Sequence, residues 1–286
     1  MAFAVEGVVT VRVAVLGLGE AGRIYAADLA HRGAIVAAAD PAASSPPQGV
    51  ELAPAIAEAV HGADVVLSLV GGDASGTALD DALGAMTSAS IYADMNTISP
   101  AKKQRLAERA AAHGVPFVDV AILAPVPRAR IGTPLMLSGT GAGGLQQLLD
   151  ELGVPATDVG GEAGTAAGLK LLRSVFMKGL AALVFETTTA ARAVGAEDWA
   201  VDQIASELGP SGHQLVARLL EGTPVHAVRR EAEMRDALAF LESLGTAHQI
   251  TDGTIAWLHA LAERPDGQPA DGQPGDGQPE GNPADH

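Results

Sequence analysis

The first half of the chain alternates short runs of β-branched and other apolar residues with amphipathic segments of helical length. The runs predict strands at residues 11–16, 35–39, 65–69, 91–94, 117–120 and 135–138. The segments between them predict helices at residues 21–32, 51–61, 75–86 and 100–113. Strands that alternate with helices through short connections build a parallel sheet with helices on both faces. The pattern therefore predicts a doubly wound, mainly parallel α/β sheet.

The pattern changes after about residue 157, where strands give way to long segments rich in alanine and leucine. These segments predict helices at residues 164–195, 197–208, 211–221, 223–245 and 246–264. The stretch that follows repeats Asp-Gly-Gln-Pro and has five acidic residues but no Lys or Arg, so it has little to bury and we expect disorder. We expect a sheet domain at 1–160, an all-α domain at 161–264 and an acidic tail at 265–286.

The composition excludes several classes of protein. The 286 residues include no cysteine, which excludes a disulfide framework and a thiolate zinc site and favours a reducing, cytoplasmic location. Asp and Glu outnumber Lys and Arg by 34 to 18, and an acidic surface repels nucleic acid. The first 17 residues lack the positively charged start of a signal peptide, and the longest uncharged stretch, 131–149, is interrupted by Gly and Pro. We expect no nucleic-acid partner, no membrane segment and no metal site.

A Gly-x-Gly-x-x-Gly motif follows the first predicted strand and opens the first predicted helix. Gly17 allows the tight turn, Gly19 lets the backbone approach a pyrophosphate, and Gly22 lets the helix pack closely on the strand. The N–H groups and the dipole of the helix start then hold the negative charge. The motif predicts a Rossmann domain that binds a dinucleotide cofactor through Gly17, Leu18, Gly19, Glu20, Ala21 and Gly22.

Asp40 ends the second predicted strand, near the offset of roughly 20 residues at which a carboxylate accepts hydrogen bonds from the adenosine ribose. A carboxylate repels a 2′-phosphate, and no Lys or Arg lies between residues 33 and 100, so we expect NAD, with NADP as the alternative. Asp40 could instead serve only the turn that it forms with Pro41. Ligands bind at the carboxyl edge of such sheets. We expect the cofactor to be bordered there by Ser68, Leu69, Val70, Asn96 and Thr97.

The sequence has only four lysines. Lys102 and Lys103 follow Pro100 on a helix, and we expect both to be solvated. Lys170 and Lys178 lie in an apolar segment, where an ammonium is costly unless it meets a ligand or a carboxylate. A lysine whose pKa is lowered by burial and neighbouring cations suits proton exchange with a substrate hydroxyl. The alternative is that Lys170 reaches solvent or pairs with an acidic residue, Glu162 or Glu186.

The order of these segments resembles the β-hydroxyacid dehydrogenase superfamily, and in particular its branch of small phosphogluconate-dehydrogenase-like oxidoreductases. The most specific segments are Gly-x-Gly-Glu-Ala-Gly at 17–22, the segment 164–179 around Lys170, and Arg-Arg-Glu-Ala-Glu-Met at 229–234. The resemblance implies NAD(P)-dependent hydride transfer that interconverts a hydroxyl and a carbonyl, with Lys170 as the catalytic acid and base. It also implies a long helix that ties the two domains together and supports a homodimer through the C-terminal helices.

The sequence departs from the pattern of this family at three places. The family's substrate loop reads Asp-Ala-Pro-Val-Ser-Gly-Gly, whereas Asp119 is followed by Val-Ala and then Ile122, Leu123 and Ala124. Ser174 stands where the family usually has Asn, and a later Lys-Asp motif has no clear counterpart. We expect Ser174 to assist catalysis, and the substrate, a small anionic hydroxyacid or semialdehyde, to meet Ile122, Leu123, Ala124 and Lys178.

Several alternatives stay open at this stage. The anion could instead be held by an arginine at position 128, 130 or 173, and His213 or His226 could reach a neighbouring subunit. Imine reduction on the same scaffold is a second enzyme hypothesis, although such family members generally have Asp or Tyr in place of the lysine. A dinucleotide-binding protein without catalysis is the third.

Overall fold

The structure is a computed structural model and describes residues 11–263. The predicted tail at 265–286 lies outside the described residues. The chain divides into two compact units, the first ending at Leu172 and the second beginning at Arg173. The functional limits of 1–160 and 161–264 stay predictions.

The described part of the first unit contains one sheet of eight strands. The strands are β1 (Arg12–Leu16), β2 (Ile35–Ala39), β3 (Val50–Leu52), β4 (Val65–Ser68), β5 (Ile91–Asp94), β6 (Phe117–Ile122), β7 (Leu135–Ser138) and β8 (Ala156–Asp158). Their order across the sheet is β3-β2-β1-β4-β5-β6-β7-β8. Neighbours are parallel except β6 and β7. The predicted doubly wound, mainly parallel Rossmann sheet is therefore confirmed.

Helices cover both faces of this sheet. They are α1 (Glu20–His31), α2 (Ile56–Val60), α3 (Ser75–Leu83), α4 (Pro100–Ala112), α5 (Val126–Ala129) and α6 (Ala142–Glu151), with a 3-10 turn at Arg130–Gly132. Successive residues of a strand point to opposite faces, so Val13 and Val15 belong to the core under α1 and α6, whereas Ala14 and Leu16 belong to the core under α3 and α4. The central strands β1, β4, β5 and β6 are thus buried on both sides, as their apolar runs predict, whereas the edge strands β3 and β8 are partly exposed.

One predicted helix, 51–61, is wrong in its first half. Val50–Leu52 is instead strand β3, whose Val50 is the register partner of Val36 in β2. The helix begins only at Ile56. The reason is Pro54, because the residue before a proline is disfavoured in the helical region and the chain stays extended there.

The second unit is helical throughout its described residues. Helix α7 (Thr165–Ala193) begins in the first unit and continues into the second, which also contains α8 (Glu197–Glu207), α9 (Gly212–Val225), α10 (Ala227–Ser243) and α11 (Gln249–Ala262). A small core joins α7 and α9 through Ala181, Val184, Val216 and Leu219. Helix α9 runs to Val225 rather than to the predicted residue 221, and Pro224 lies in its last turn. Between residues 11 and 263, no helix combines the length and the apolar character needed to cross a membrane.

Candidate functional site

Four neighbouring strands bring distant parts of the sequence to one edge of the sheet. Leu16 is the register partner of Ser68, Ser68 of Asp94, and Asp94 of Asp119. The segments that follow Leu16, Ser68 and Asp94 therefore leave the sheet side by side. The strand order reverses between β1 and β4, which is where open α/β sheets bind ligands.

The glycine motif forms the turn from β1 to α1, and its three glycines have different constraints. Gly17 has a φ of +90°, and a Cβ on it would lie 2.6 Å from the carbonyl oxygen of Leu69. A Cβ on Gly22 would overlap the carbonyl oxygen of Gly17. At Gly19 a Cβ would meet no described atom within 4 Å. The fold therefore requires Gly17 and Gly22, whereas Gly19 leaves open space beside the backbone for a ligand.

The start of α1 offers the amides that an anion needs. Gly19 is the N-cap of the helix and provides no side-chain cap. The first four N–H groups of a helix have no acceptor within it, and the helix dipole adds partial positive charge at the same place. These amides belong to Gly19, Glu20, Ala21 and Gly22. The open space at Gly19 and the amides at the helix start fit the pyrophosphate of a dinucleotide.

Asp40 lies beside this turn at the end of β2. Its Oδ2 accepts a hydrogen bond from the Leu18 amide at 2.6 Å, and its Oδ1 accepts one from the Ala42 amide at 2.8 Å. The carboxylate therefore holds the glycine turn and its own turn at once. Each carboxylate oxygen has further acceptor capacity, so the predicted bond to a ribose is compatible with these contacts and stays a prediction.

Asn96 organises the loops after β4 and β5. Its Nδ2 donates to the Ser68 Oγ at 3.2 Å and to the Asp94 Oδ2 at 3.1 Å, while its Oδ1 accepts from the Gly71 amide at 2.8 Å. The side chain of Asn96 thus holds the segment that contains Leu69 and Val70 in place. In the structure, Asn96 therefore has a structural role at the carboxyl edge of the sheet.

Lys170 reaches the same edge from the second turn of α7. Its Nζ donates a hydrogen bond to the Thr97 Oγ1 at 3.2 Å, across 73 positions of sequence. The predicted proton-transfer residue and the predicted cofactor-bordering residue are therefore in contact. An amine beside a hydroxyl at the carboxyl edge is suited to move a proton to or from a bound oxygen.

The expectation that Lys103 is solvated is wrong. The side chain is 1% exposed, and its Nζ lies 2.6 Å from Asp94 Oδ1 and 3.1 Å from Asp119 Oδ1. The reason is that Asp94, at the end of β5, is the register partner of Asp119 within β6, and buried carboxylates require a cation. The sequence held a signal for this, because Lys103 has the helical spacing of the buried Leu106 and Ala110. Its neighbour Lys102 is half-buried and donates to the Gly72 carbonyl oxygen at 2.5 Å.

Ser174 and Lys178 are paired within the second unit. Lys178 Nζ donates to Ser174 Oγ at 3.0 Å and lies 2.7 Å from Glu233 Oε2 on α10. The lysine therefore has the carboxylate partner that an ammonium in an apolar helix needs. The catalytic role of Ser174 and the substrate-binding role of Lys178 stay predictions.

The segment predicted to meet substrate is partly a strand. Ile122 ends β6 opposite Leu135, and the Leu123 amide donates to the Pro134 carbonyl oxygen at 3.1 Å. Ile122, Leu123 and Ala124 are each half-buried. The backbone of this segment is therefore paired with β7, and its apolar side chains stand where the resembled family has a Ser-Gly-Gly sequence.

Of the alternative anion ligands, Arg130 has a charged partner. Arg130 forms a two-pronged ion pair with Asp28 of α1, with its Nη2 2.6 Å from Oδ1, whereas Arg128 is exposed. Burial would raise the pKa of Asp28, but hydrogen bonds from Arg130 and from the Ile131 amide outweigh it and hold that pKa below its usual value. His213 lies 3.6 Å from Asp202, and His226 precedes α10 as its N-cap. Arg130 is thus committed to a contact within its own unit.

The fold and the glycine turn together define a dinucleotide-binding α/β protein. Residues 12–160 match the family model described as the NAD binding domain of 6-phosphogluconate dehydrogenase. The chain belongs to this family, and its sheet domain is an NAD-binding domain. Residues 191–261 match a domain of unknown function, DUF1932.

Comparison with individual proteins agrees with this assignment. A 28.5 kDa uncharacterised protein from Methanothermus fervidus is 30% identical over 153 residues, which are 54% of this chain and 59% of that protein. The chain thus spans less than two thirds of that relative. The solved structure of a conserved hypothetical protein from Sinorhizobium meliloti 1021 is 30% identical, with a TM-score of 0.75 and 88% of each chain covered. A conserved protein described as structurally similar to 3-hydroxyacid dehydrogenases is 26% identical, with a TM-score of 0.76 over 88% of this chain and 96% of that one.

More distant structures share the fold alone. Mycobacterium tuberculosis 3-hydroxyisobutyrate dehydrogenase, solved with L-serine, is 20% identical with a TM-score of 0.74 over 88% of this chain and 94% of that one. An imine reductase variant from Myxococcus stipitatus, solved with NAD+, is 19% identical with a TM-score of 0.63 over 88% and 93%. The resemblance predicted from the sequence is therefore confirmed at the level of family and fold.

Proposed function

We propose that the protein is an NAD(P)-dependent oxidoreductase that interconverts a hydroxyl and a carbonyl on a small anionic hydroxyacid or semialdehyde. Lys170 is the acid and base of this reaction. The observation that carries the proposal is the contact of Lys170 Nζ with Thr97 Oγ1, at 3.2 Å, on the sheet edge that the glycine turn also occupies. A primary amine at the carboxyl edge of an NAD-binding sheet can exchange a proton with the oxygen of the reacting hydroxyl or carbonyl group.

The bound nicotinamide supplies or accepts the hydride at the reacting carbon. The residues of the chain bind the cofactor and move the proton. The amides at the start of α1 bind the pyrophosphate, and Asp40 orients the adenosine ribose. During oxidation, neutral Lys170 takes the proton of the substrate hydroxyl as the hydride leaves its carbon, so the alcohol loses two electrons and becomes a carbonyl. In the reverse direction, protonated Lys170 returns that proton to the carbonyl oxygen.

We assign the remaining substrate contacts to Lys178 and to the apolar segment 122–124. Lys178 binds the anionic part of the substrate, and Ser174 assists by orienting the Lys178 ammonium, to which its Oγ is bonded at 3.0 Å. The half-buried apolar segment 122–124 contacts the carbon skeleton of the substrate. Support for an anionic substrate is the scarcity of lysine, because two of only four lysines lie in the single segment 164–179.

Replacing Lys170 tests the acid and base role. Lys170→Ala should lower kcat by about 10²- to 10⁴-fold and leave the Kd of NADH within about 2-fold, because the amine acts on the substrate proton. Lys102→Ala is a control from the same small set of lysines, and its kcat should stay within several-fold of the parent protein. Normal turnover by the Lys170 variant would refute the assignment.

A substrate panel tests the reaction itself. Oxidation of hydroxyacids with NAD+ and reduction of semialdehydes with NADH should exceed reduction of cyclic imines. Imine reduction is the second candidate reaction, because imine reductases share the fold. Faster reduction of cyclic imines than of semialdehydes would favour imine reduction over the proposed reaction. Tight NADH binding without any turnover would favour a protein that binds the cofactor without catalysis.

The cofactor preference is proposed to be NAD over NADP. The fixed carboxylate of Asp40, bonded to the Leu18 and Ala42 amides, places negative charge where a 2′-phosphate would need a cation. Titration of the protein with NADH and NADPH, followed by nicotinamide fluorescence, should give the lower Kd for NADH. A lower Kd for NADPH would contradict this role of Asp40.

We also propose a cytoplasmic homodimer that forms through the C-terminal helices. Large exposed apolar side chains in the second unit support it, among them Phe176, Leu183, Trp199 and Ile250, each more than 60% exposed. Exposed apolar area of this kind is typical of protein interfaces. Light scattering during gel filtration should give twice the chain mass of 28.8 kDa, and a monomer at micromolar concentration would contradict the proposal.

A further inference from the structure

Lys103 is a fully buried cation that the proposed mechanism does not use. Its Nζ lies 2.6 Å from Asp94 Oδ1, 3.1 Å from Asp119 Oδ1 and 2.6 Å from the Asp94 carbonyl oxygen. The three side chains are 1%, 0% and 0% exposed. A buried ion pair from which one partner is removed leaves an uncompensated charge, so the three groups are strongly coupled.

Asp94 connects this cluster to the loop that carries Thr97. Its Oδ1 accepts a hydrogen bond from the Asn96 amide at 3.1 Å, and its Oδ2 accepts one from the Asn96 side chain at 3.1 Å. Asn96 immediately precedes Thr97 in the chain. The position of Thr97 therefore depends on where the Asp94 carboxylate is held.

Asp119 connects the same cluster to the start of α7. Its Oδ2 accepts hydrogen bonds from the Gly164 amide at 3.1 Å and from the Ala167 amide at 2.8 Å. Lys170 follows Ala167 by three residues, which is less than one helical turn. Negative charge at a helix start also interacts favourably with the helix dipole. The Asp119 carboxylate thus fixes the end of α7 from which Lys170 projects.

A close backbone contact supports the same arrangement. Gly164 has a φ of +100°, and a Cβ on it would lie 2.8 Å from the carbonyl oxygen of Pro100. Pro100 is the first residue of α4, the helix that carries Lys103. The starts of α4 and α7 therefore lie directly against each other, with the three charged side chains beside them.

We propose that Lys103 is a positioning residue that sets the geometry between Thr97 and Lys170 by holding Asp94 and Asp119 in place. The two aspartates are register partners on adjacent strands, about 5 Å apart along the sheet, so without a cation their carboxylates repel each other. The two carboxylates then move apart, and the segments bonded to them, the amides at 164 and 167 and the Asn96 loop, are displaced with them. The kinetic consequence rests on the proposed function of Lys170, whereas the structural consequence does not.

The test compares Lys103→Met and Lys103→Gln with Leu106→Ala. Leu106 is 2% exposed on the same helix but belongs to the apolar core, so its truncation lowers stability without removing the charge. Lys103→Gln keeps a hydrogen-bond donor and serves if the methionine variant does not fold. All variants are first compared by thermal unfolding, and the kinetic experiments are run well below the lowest Tm.

Two readouts separate positioning from a general loss of stability. Amide hydrogen exchange at Gly164 and Ala167, measured by NMR, should be at least about 10-fold faster in the Lys103 variants than in Leu106→Ala. The kcat should fall about 10- to 100-fold with the KM for NADH nearly unchanged, because small displacements of a reacting group are costly. Leu106→Ala should keep a kcat close to that of the parent protein.

The outcomes are distinguishable. Lys103 variants that match Leu106→Ala in both exchange and kcat would overturn the proposal. Faster exchange at both amides with an unchanged kcat would also overturn it, since α7 would be loosened without consequence for the reaction. If the parent protein turns over no substrate at all, the proposed function fails, and the exchange rates alone still decide whether Lys103 holds the two segments.

Discussion

Lys170 donates to Thr97 across 73 positions of sequence, with 3.2 Å between Nζ and Oγ1. This bond orients the amine at the sheet edge. Thr97→Val has nearly the same shape but removes the acceptor, so we expect kcat to fall about 10-fold, the effect of losing one hydrogen bond to a charged group. Thr97→Ser keeps the hydroxyl and should retain most of the activity. Equal kcat values for the valine and serine variants would show that the contact does not orient Lys170.

Substitution of Gly19 tests cofactor binding without disrupting the fold. Gly19→Ala should fold, because no described atom lies within 4 Å of its Cβ, and the weaker N-cap should cost no more than about 1 kcal/mol of unfolding free energy. The added methyl group occupies the space that we assign to the pyrophosphate. The Kd for NADH should therefore rise at least about 10-fold, which is measured by fluorescence titration.

Gly22→Ala is the matched control for this experiment. Its Cβ would overlap the carbonyl oxygen of Gly17, so the turn must move. We expect a loss of about 3 kcal/mol or more in unfolding free energy, measured by denaturant titration. If Gly19→Ala binds NADH as tightly as the parent protein does, the pyrophosphate does not lie against the turn.

The sheet could be predicted where strands are buried on both faces. The strands at 35–39 and 91–94 match their predicted bounds because residues 35–39 are all apolar and the apolar run 91–93 ends at Asp94. Strand β3 has three residues with Glu51 at its centre, so it has no such run, and only its pairing with β2 makes it a strand. Short edge strands depend on neighbours that a local pattern does not contain.

In the candidate site, too, local features could be predicted and features that depend on distant residues could not. The glycine turn could be predicted because its requirements are local to the backbone between β1 and α1. The contact of Lys170 with Thr97 could be expected only from the resemblance to a known family. The helical spacing of Lys103 with Leu106 indicates a buried position, but its ion pairs could not be predicted, because Asp94 and Asp119 come from two other elements and meet only through the strand register.

The Asp28–Arg130 pair predicts a pH dependence of stability. The pKa of Asp28 is lower in the folded protein than its usual value of about 3.9. A carboxyl group with a lowered folded pKa stabilises the protein above its unfolded pKa, and this contribution is lost as the pH falls through the folded pKa. Asp28→Asn should therefore lower Tm at pH 6, and its difference from the parent protein should shrink below about pH 4.

Arg130→Met breaks the same pair from the other side and should show the same convergence with the parent protein at low pH. Thermal unfolding followed by circular dichroism between pH 3 and pH 7 measures both variants. A Tm difference that stays constant over this range would mean that the ionisation of Asp28 is not coupled to folding.

Replacing Lys178 and Glu233 in turn separates the proposed substrate-binding role of Lys178 from its structural role in the ion pair. The ion pair is 2.7 Å long and the two side chains are 15% and 33% exposed, between a surface pair and a buried one. Lys178→Met and Glu233→Gln should each lower the unfolding free energy by roughly 1–2 kcal/mol. Only Lys178→Met removes the ammonium, so only this variant should raise the KM for an anionic substrate, by about 10-fold. Equal KM values in the two variants would assign Lys178 to the stability of the helical unit and leave the anion to another cation.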